Sequence, residues 1–561
     1  MPQAETPPPV LPADLVILNA TVRTLDPARP TAQAVAIRGN RLVAVGATAE
    51  IRPFIGPRTR VLQLRRRLVL PGFNDAHVHF LLGGFSLSSV DLRAARSPEE
   101  FIQRLAAFAR QTPPGRWILG GDWDHEKWRG APLPTRAWID AATPEHPVFV
   151  HRLDEHMAVA NSRALRLAGV TRRTREAPGG VIVRDHTGEP TGLLKDAAMA
   201  LVERVLPPRS FAEKVEAARA ATRHAARLGV TSVQDMLTND DAGVYQALLE
   251  RGELLTRIYA CRTITDWRTQ ARLLHAEGGR PSDARHRTSA AVSMVRLGGV
   301  KGFADGSLGS ATARFFEPYA DAPENRGLWF DQMLPDGAML RRVLGADRAG
   351  LQVILHAIGD EANWRVLEIY RQTAEKNGPR DRRFRIEHAQ HLRPGEIPRF
   401  AAQQVVASGQ PYHAIDDGCW CAARLGRRRA PGAYAFRSLL DSGARLAFGS
   451  DWPVAPLNPL PGIYAAVTRR TLDGKHPGGW IPRQKISVEE AVRACTVGSA
   501  YAEFAERVKG TLTPGKLADL VVLDRDIFRV DPAEIAAAGV VLTVVGGRVV
   551  FAAAGLTGTG Q

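Results

Sequence analysis

The chain has 561 residues, 45% of them hydrophobic, and a formal net charge of +16. That length can bury an extensive core divided over two to four domains, whereas 4 cysteines, at 261, 419, 421 and 495, are too few for a disulfide scaffold. The densest basic runs, Arg65-Arg66-Arg67 and Arg427-Arg428-Arg429, are short and lack interleaved aromatics, which argues for a solvated basic surface and against nucleic-acid or membrane binding.

Residues 1–13 open on Met1-Pro2-Gln3-Ala4-Glu5-Thr6-Pro7-Pro8-Pro9, with no basic residue and no apolar core. They are expected to form a disordered tail and not a secretory signal. No uncharged apolar stretch reaches membrane-spanning length, so the expected compartment is cytoplasmic. Between 14 and 70, the apolar runs Leu15-Val16-Ile17-Leu18, Ala34-Val35-Ala36-Ile37 and Leu42-Val43-Ala44-Val45, broken by turn signals such as Gly39-Asn40, predict a meander of short strands. Residues 508–555 carry a matching set, Leu520-Val521-Val522-Leu523 and Val544 to Val550. Neither end has enough strands for a two-layer core, so the two are expected to pair into one composite β-sandwich.

Leu68-Val69-Leu70-Pro71-Gly72 leads into Phe73-Asn74-Asp75-Ala76-His77-Val78-His79. Residues two apart on a strand project to the same side, so His77 and His79 can grip one ion while Val78 packs on the other face. Such a triplet alone is more often two ordinary polar side chains; the apolar lead-in raises its weight. From His79 to Lys301 is 222 residues, whereas three βα units need only about 90. The surplus, placed at 96–212 and rich in Pro, Trp and His, reads as a folded cap. The barrel itself is expected over 71–95 and 213–507, resuming with a helix near Glu213 to Leu228 and a strand from Val230 to Asp235. His125, His146, His151 and His156 match no regular zinc spacing, so the cap is not read as a second metal site.

Lys301 follows the fourth predicted strand, Val295 to Val300, in a chain with only 9 lysines against 65 arginines. A protonated amine cannot bind a cation. Desolvation and nearby metal charge favour the neutral amine, which could take up carbon dioxide and bridge two ions as N6-carboxylysine; a salt bridge to Asp305 or Asp451 is the alternative. His356 ends Val353-Ile354-Leu355, His388 follows Phe384-Arg385-Ile386-Glu387, and Asp451 follows Leu446 to Ser450. The gaps of 32 residues (His356 to His388) and 63 residues (His388 to Asp451) correspond to one and two βα units of about 30 residues, with the skipped strand at Gln404 to Ser408. Imidazoles and a carboxylate at the ends of the first, fifth, sixth and eighth strands of a TIM-like (β/α)8 barrel describe a zinc-type centre and a metal-dependent hydrolase. Tyr412 and His413, just beyond the seventh strand, are placed to reach a substrate carbonyl.

The order HxH, Lys, His, His, Asp, with the closing run from Gly515 to Asp524, resembles the amidohydrolase superfamily. The likeness is greatest to its amidohydrolase-3 branch, which includes N-substituted formamide deformylases. That narrower match rests on Trp123-Asp124-His125-Glu126-Lys127-Trp128, on His156 with Asn161 to Leu165, on Lys301 with Asp305 to Ser310, and on His356 to Asp360, and it runs from about 14 to 550. It implies that His77, His79 and Asp451 hold one divalent ion, zinc in the first instance, and His356 with His388 a second, bridged by carboxylated Lys301. The number of ions stays open. Asp451 would take the proton of the attacking water and return it to the leaving amine, with Trp123, Trp128 and His156 lining the pocket and Asp75, Glu387 and Asp305 orienting ligands.

Deaminases of the superfamily commonly place a glutamate three residues after the fifth-strand histidine. Gly359 stands there, which favours cleavage of an amide or formamide C–N bond in a small molecule. An inactive ligand-binding barrel that keeps its metal site is the reading from a different class, and homo-oligomerisation is left open.

Overall fold

The computed structural model describes residues 11–276 and 292–554. Residues 1–10 of the expected tail and Gly555 lie outside them. Within the described part, residues 11–13 are tied down: the Ala13 N–H donates to Phe54 O at 2.8 Å, and Arg38 Nε donates to Pro12 O at 3.0 Å. The ordered chain therefore starts ahead of residue 14.

Eight strands form one parallel sheet: β1 (Phe73–Val78), β2 (Val230–Asp235), β3 (Arg257–Thr263), β4 (Val295–Phe303), β5 (Val353–Ala357), β6 (Arg385–His388), β7 (Val406–Gly409) and β8 (Arg445–Phe448). Neighbours follow chain order from β1 to β8. The sheet closes just past its last strand, where the Asp451 N–H donates to His77 O at 2.7 Å and the His79 N–H donates to Trp452 O at 2.8 Å. The predicted fourth and seventh strands are displaced slightly. Lys301 sits two residues before the end of β4, and the seventh strand begins at Val406 because Gln404 adopts a left-handed backbone with φ 54°.

Outward-facing residues of these strands, such as Val353, Leu355 and Ile386, pack under helices, with Val366, Leu367 and Tyr370 of the helix Asp360–Asn377 covering them. The Tyr370 ring stacks on Phe384 at 4.3 Å. Burying each such side chain contributes roughly 1.5–3 kcal/mol, so the apolar jacket holds the barrel while its mouth stays free for polar groups.

The chain ends meet beside the barrel. A four-stranded sheet (Arg41–Gly46, Ala34–Arg38, Leu15–Leu18, Arg60–Gln63) faces a six-stranded one (Arg548–Ala552, Val540–Val545, Leu520–Leu523, Leu68–Pro71, Thr21–Arg23, Thr31–Ala32). Leu520–Leu523 pairs antiparallel with Leu68–Pro71, and Ile17, Ile37, Val69, Val522 and Val544 share one core.

The inserted segment folds on a second six-stranded sheet, from Val90–Asp91 to Pro190–Asp196. It starts earlier than residue 96, since Val90–Asp91 pairs with Gly120–Gly121 and Leu92 and Ala95 enter the cap core.

Barrel closure leaves no room at Gly449, where a Cβ would lie 2.4 Å from the His77 nitrogen and 2.8 Å from Asp75 Oδ1. Gly449→Ala is expected to cost about 1–3 kcal/mol, read as a lower chemical-denaturation midpoint; an unchanged midpoint would contradict this account of closure.

Candidate metal centre

The site is built on charges buried inside the barrel. Arg385, fully buried on β6, donates through Nε to Glu387 Oε1 at 2.8 Å and through Nη2 to Ala76 O at 2.6 Å. Glu387 Oε2 in turn lies 2.5 Å from His77 Nδ1. Burial opposes ionisation of Glu387, but Arg385 and His77 outweigh it and hold the carboxyl at about 2. A carboxylate there takes the His77 Nδ1–H and turns Nε2 toward the barrel mouth; burial lowers this ring's pKa but Asp451 and Glu387 more than offset it, so a cation binding at Nε2 would have to displace a proton.

Around that nitrogen the other groups converge. Asp451 Oδ1 lies 3.2 Å from His77 Nε2 and 3.5 Å from His79 Nε2. Ligand atoms of His77, His388 and Asp451 all fall within 4.8 Å of one another, and the His356 and His388 rings are 4.5 Å apart. His77 Nε2 and His388 Nδ1 are buried without a hydrogen-bond partner. Burial drives His79 down to about 3 and His356 and His388 well below the usual imidazole range, so these rings stand neutral with lone pairs available. The Asp451 carboxyl is held well below the usual carboxylate range: burial works against it, and the adjacent His77 more than compensates. Unpartnered imidazole nitrogens converging on a carboxylate fit a divalent cation. The gathered trio cuts across the expected division, taking His77 and Asp451 from one ion's set and His388 from the other's.

Backbone geometry explains how neighbouring residues reach one point. Glu387 and His388 are adjacent, so a regular strand would send them to opposite faces. His388 has φ 70° and Asp451 φ 62°, both left-handed, a conformation that costs a non-glycine residue about 1 kcal/mol or more and concentrates at functional sites.

His356 Nε2 is 3.1 Å from Gly306 O and 3.5 Å from Asp305 Oδ1, which leaves Nδ1 as its free nitrogen. Asp305 accepts the backbone N–H groups of Ile358, Gly359 and Arg314 at 2.8–3.0 Å. Asp75 likewise accepts from His77 and Ser450. Burial raises both carboxyls to about 7. Lys301 is buried, with Nζ 4.1 Å from the Phe303 ring centre, and among the described residues it forms no ion pair with Asp305 or Asp451. Burial pulls its amine down to about 8 against the opposing pull of Glu387 and Asp451.

A cavity of about 1040 Å³ opens over the centre, lined by His77, His79, Lys301, His356, His388, His413 and Asp451 together with cap residues such as Arg152, His156 and Asp196. His156 Nδ1 is 2.6 Å from Asp196 Oδ1, and its ring lies 5.2 Å from that of His356. The His413 ring stacks on His388 at 6.2 Å.

Three expected pocket residues lie elsewhere. Trp123 and Trp128 are in the cap core, their indole N–H groups bound to Val150 O and Ala95 O at 2.9 and 3.0 Å, because large aromatics with an internal acceptor are more stable packed than exposed. Tyr412 lines a separate small cavity with Asn74 and Asp75, since it and His413 diverge by the roughly 100° per residue of a helix. Sequence reasoning missed Arg385 and Asp196: a strand arginine two residues before a strand glutamate is a same-face pair that could have signalled the first, whereas Asp196 carries no local signal.

Removing the Glu387 charge should loosen the grip on His77. Glu387→Gln is expected to weaken metal affinity about 10–100-fold, measured by competition with a chromogenic chelator; unchanged affinity would refute the orienting role.

Comparison with known proteins places this arrangement. A profile described as the amidohydrolase family matches residues 60–551. The protein LONG AFTER FAR-RED 3 of Arabidopsis thaliana is 41% identical over 97% of this chain and 93% of its own length. An N-substituted formamide deformylase of Arthrobacter pascens is 28% identical over 91% of this chain and 94% of its own. The crystal structure of an uncharacterized metal-dependent hydrolase from Pyrococcus horikoshii superposes with a TM-score of 0.72 and 28% identity, covering 92% of this chain and 99% of that one.

Proposed function

The chain belongs to the amidohydrolase family, and from that premise we propose that it hydrolyses a non-peptide amide or formamide C–N bond in a small molecule. The observation that carries this reading is the convergence of His77, His388 and Asp451 beneath a cavity of about 1040 Å³. His77, His79, His356, His388 and Asp451 would hold the metal, zinc in the first instance. A divalent ion supplies an acidified water and an electrophile for the carbonyl.

Asp451 accepts the proton of the attacking water at its carboxylate and returns it to the leaving amine, as a group facing both must. His156, its Nδ1 held by Asp196, lines the cavity from the cap side and would offer Nε2 to the substrate, and His413 closes the wall beside His388. Lys301 is our candidate for the carbamate: its nitrogen bonds to carbon dioxide and loses a proton, leaving an anion that can bridge two ions. Among the described residues no carboxylate forms an ion pair with Lys301, and this together with the lowered pKa of its amine supports that role.

Amide cleavage is favoured over deamination by the surroundings of Gly359, where a Cβ would lie 1.9 Å from Arg314 O, leaving no place for an acidic side chain. The acids that follow are engaged away from the cavity: Asp360 accepts the Phe316 N–H at 3.0 Å and Glu361 pairs with Arg314 at 2.8 Å. Four free thiols support a reducing, cytoplasmic setting.

Protein purified without chelator is expected to carry one or two divalent ions per chain and to turn over N-substituted formamides or acylamino compounds, with activity lost on chelation. Lys301→Ala should lower the metal count and reduce kcat at least 100-fold. Full metal content with no turnover on any such compound would favour the inactive binding module.

A further inference from the structure

The helix Pro411–Asp417 presents His413, Asp416 and Asp417 at i, i+3 and i+4, hence on neighbouring positions of one face. All three line the large cavity. His413 stands beside the metal centre, and the two aspartates follow it by about one turn, roughly 5 Å along the axis.

Four carboxyl groups meet in this lobe, Asp124, Asp154, Asp416 and Asp417, with the cations Arg152 and Lys127 among them and Arg93 close enough to act on Asp416. Arg152 is committed to Asp124 and Asp154, at 2.8 Å from each. Asp417 is satisfied by neutral donors, Tyr434 Oη at 2.6 Å and Gln390 Nε2 at 2.7 Å. Asp416 is different. It is 7% exposed, and among the described residues no donor lies within hydrogen-bond distance of its carboxylate. Its nearest cation, Lys127 Nζ, is 3.8 Å away and closer to Asp124, at 3.5 Å. A carboxylate this buried with only a long ion pair gains from a further counter-charge; burial raises Asp416, with Lys127 opposing and Asp124 adding to the rise. The indole of Trp420, also in the cavity wall, already carries the Arg152 guanidinium 5.9 Å above its ring centre.

We propose that Asp416, next to Asp417 on the same helix, is a specificity-determining residue that binds a cationic group, an ammonium in the first instance, on the organic arm of the substrate. The inference rests on the hydrolase reading of the same cavity and narrows it: the preferred amide carries a positive charge about one helical turn beyond the group that reaches His413. A substrate with an uncharged arm leaves Asp416 with only the long ion pair to Lys127, at 3.8 Å.

The test uses metal-loaded protein and two non-hydrolysable ligands of equal length, N-(4-aminobutyl)methanesulfonamide and N-pentylmethanesulfonamide, titrated calorimetrically at pH 7. The wild type is expected to bind the charged ligand at least tenfold more tightly. Asp416→Asn should bring that ratio close to one while leaving the Kd of the uncharged ligand within about twofold. Equal affinities in the wild type, or a preference that survives in Asp416→Asn, would overturn the proposal. If Asp416→Asn loses both ligands, Asp416→Ser replaces it with the same criteria, and the wild-type ratio stands as a test by itself. Because neither ligand is cleaved, this outcome is independent of turnover: failure to hydrolyse any amide would count against the hydrolase reading alone.

Discussion

The site depends on one buried carboxylate. Glu387 lies inside the barrel between Arg385 and His77, and its charge decides which nitrogen of His77 faces the mouth. A buried ion pair contributes little net stability, because desolvating both partners cancels much of their attraction. Its value here is positional: Arg385 is anchored by Ala76 O on β1, across the barrel, and by Ser408 Oγ on the adjacent β7, so the carboxylate, and through it His77, is referenced to the barrel wall.

Above that anchor the chain assembles a cation site at the carboxyl ends of the strands, where a parallel barrel leaves its polar groups. Closure and ligand placement are the same event. The hydrogen bonds that join the first strand to the segment after the last one involve His77, His79 and Asp451 themselves. The left-handed turns at His388 and Asp451 are kept because packing and hydrogen bonding on both sides leave the chain no easier path.

Much of this was legible in the sequence. Spacing in units of about 30 residues located the strands that carry His77, His79, Lys301, His356, His388 and Asp451, and the surplus between His79 and Lys301 located an insertion that forms its own sheet and core. What could not be read depends on direction within an element. Tyr412 and His413 are adjacent in sequence yet enter different cavities. Trp123 and Trp128 sit in a motif suggestive of a pocket but fill the cap core. Asp416 had no local signal, since its weak pairing follows from how Lys127 is shared with Asp124 and Arg152 is held by Asp124 and Asp154.

Anomalous diffraction from crystals of the metal-loaded protein, recorded above and below the absorption edge of the bound metal, tests the central claim most directly. The account predicts a peak at bonding distance, about 2.0–2.2 Å, from His77 Nε2, with His388 and Asp451 also in contact. A metal bound elsewhere, or one bonded to His77 through Nδ1, would contradict it.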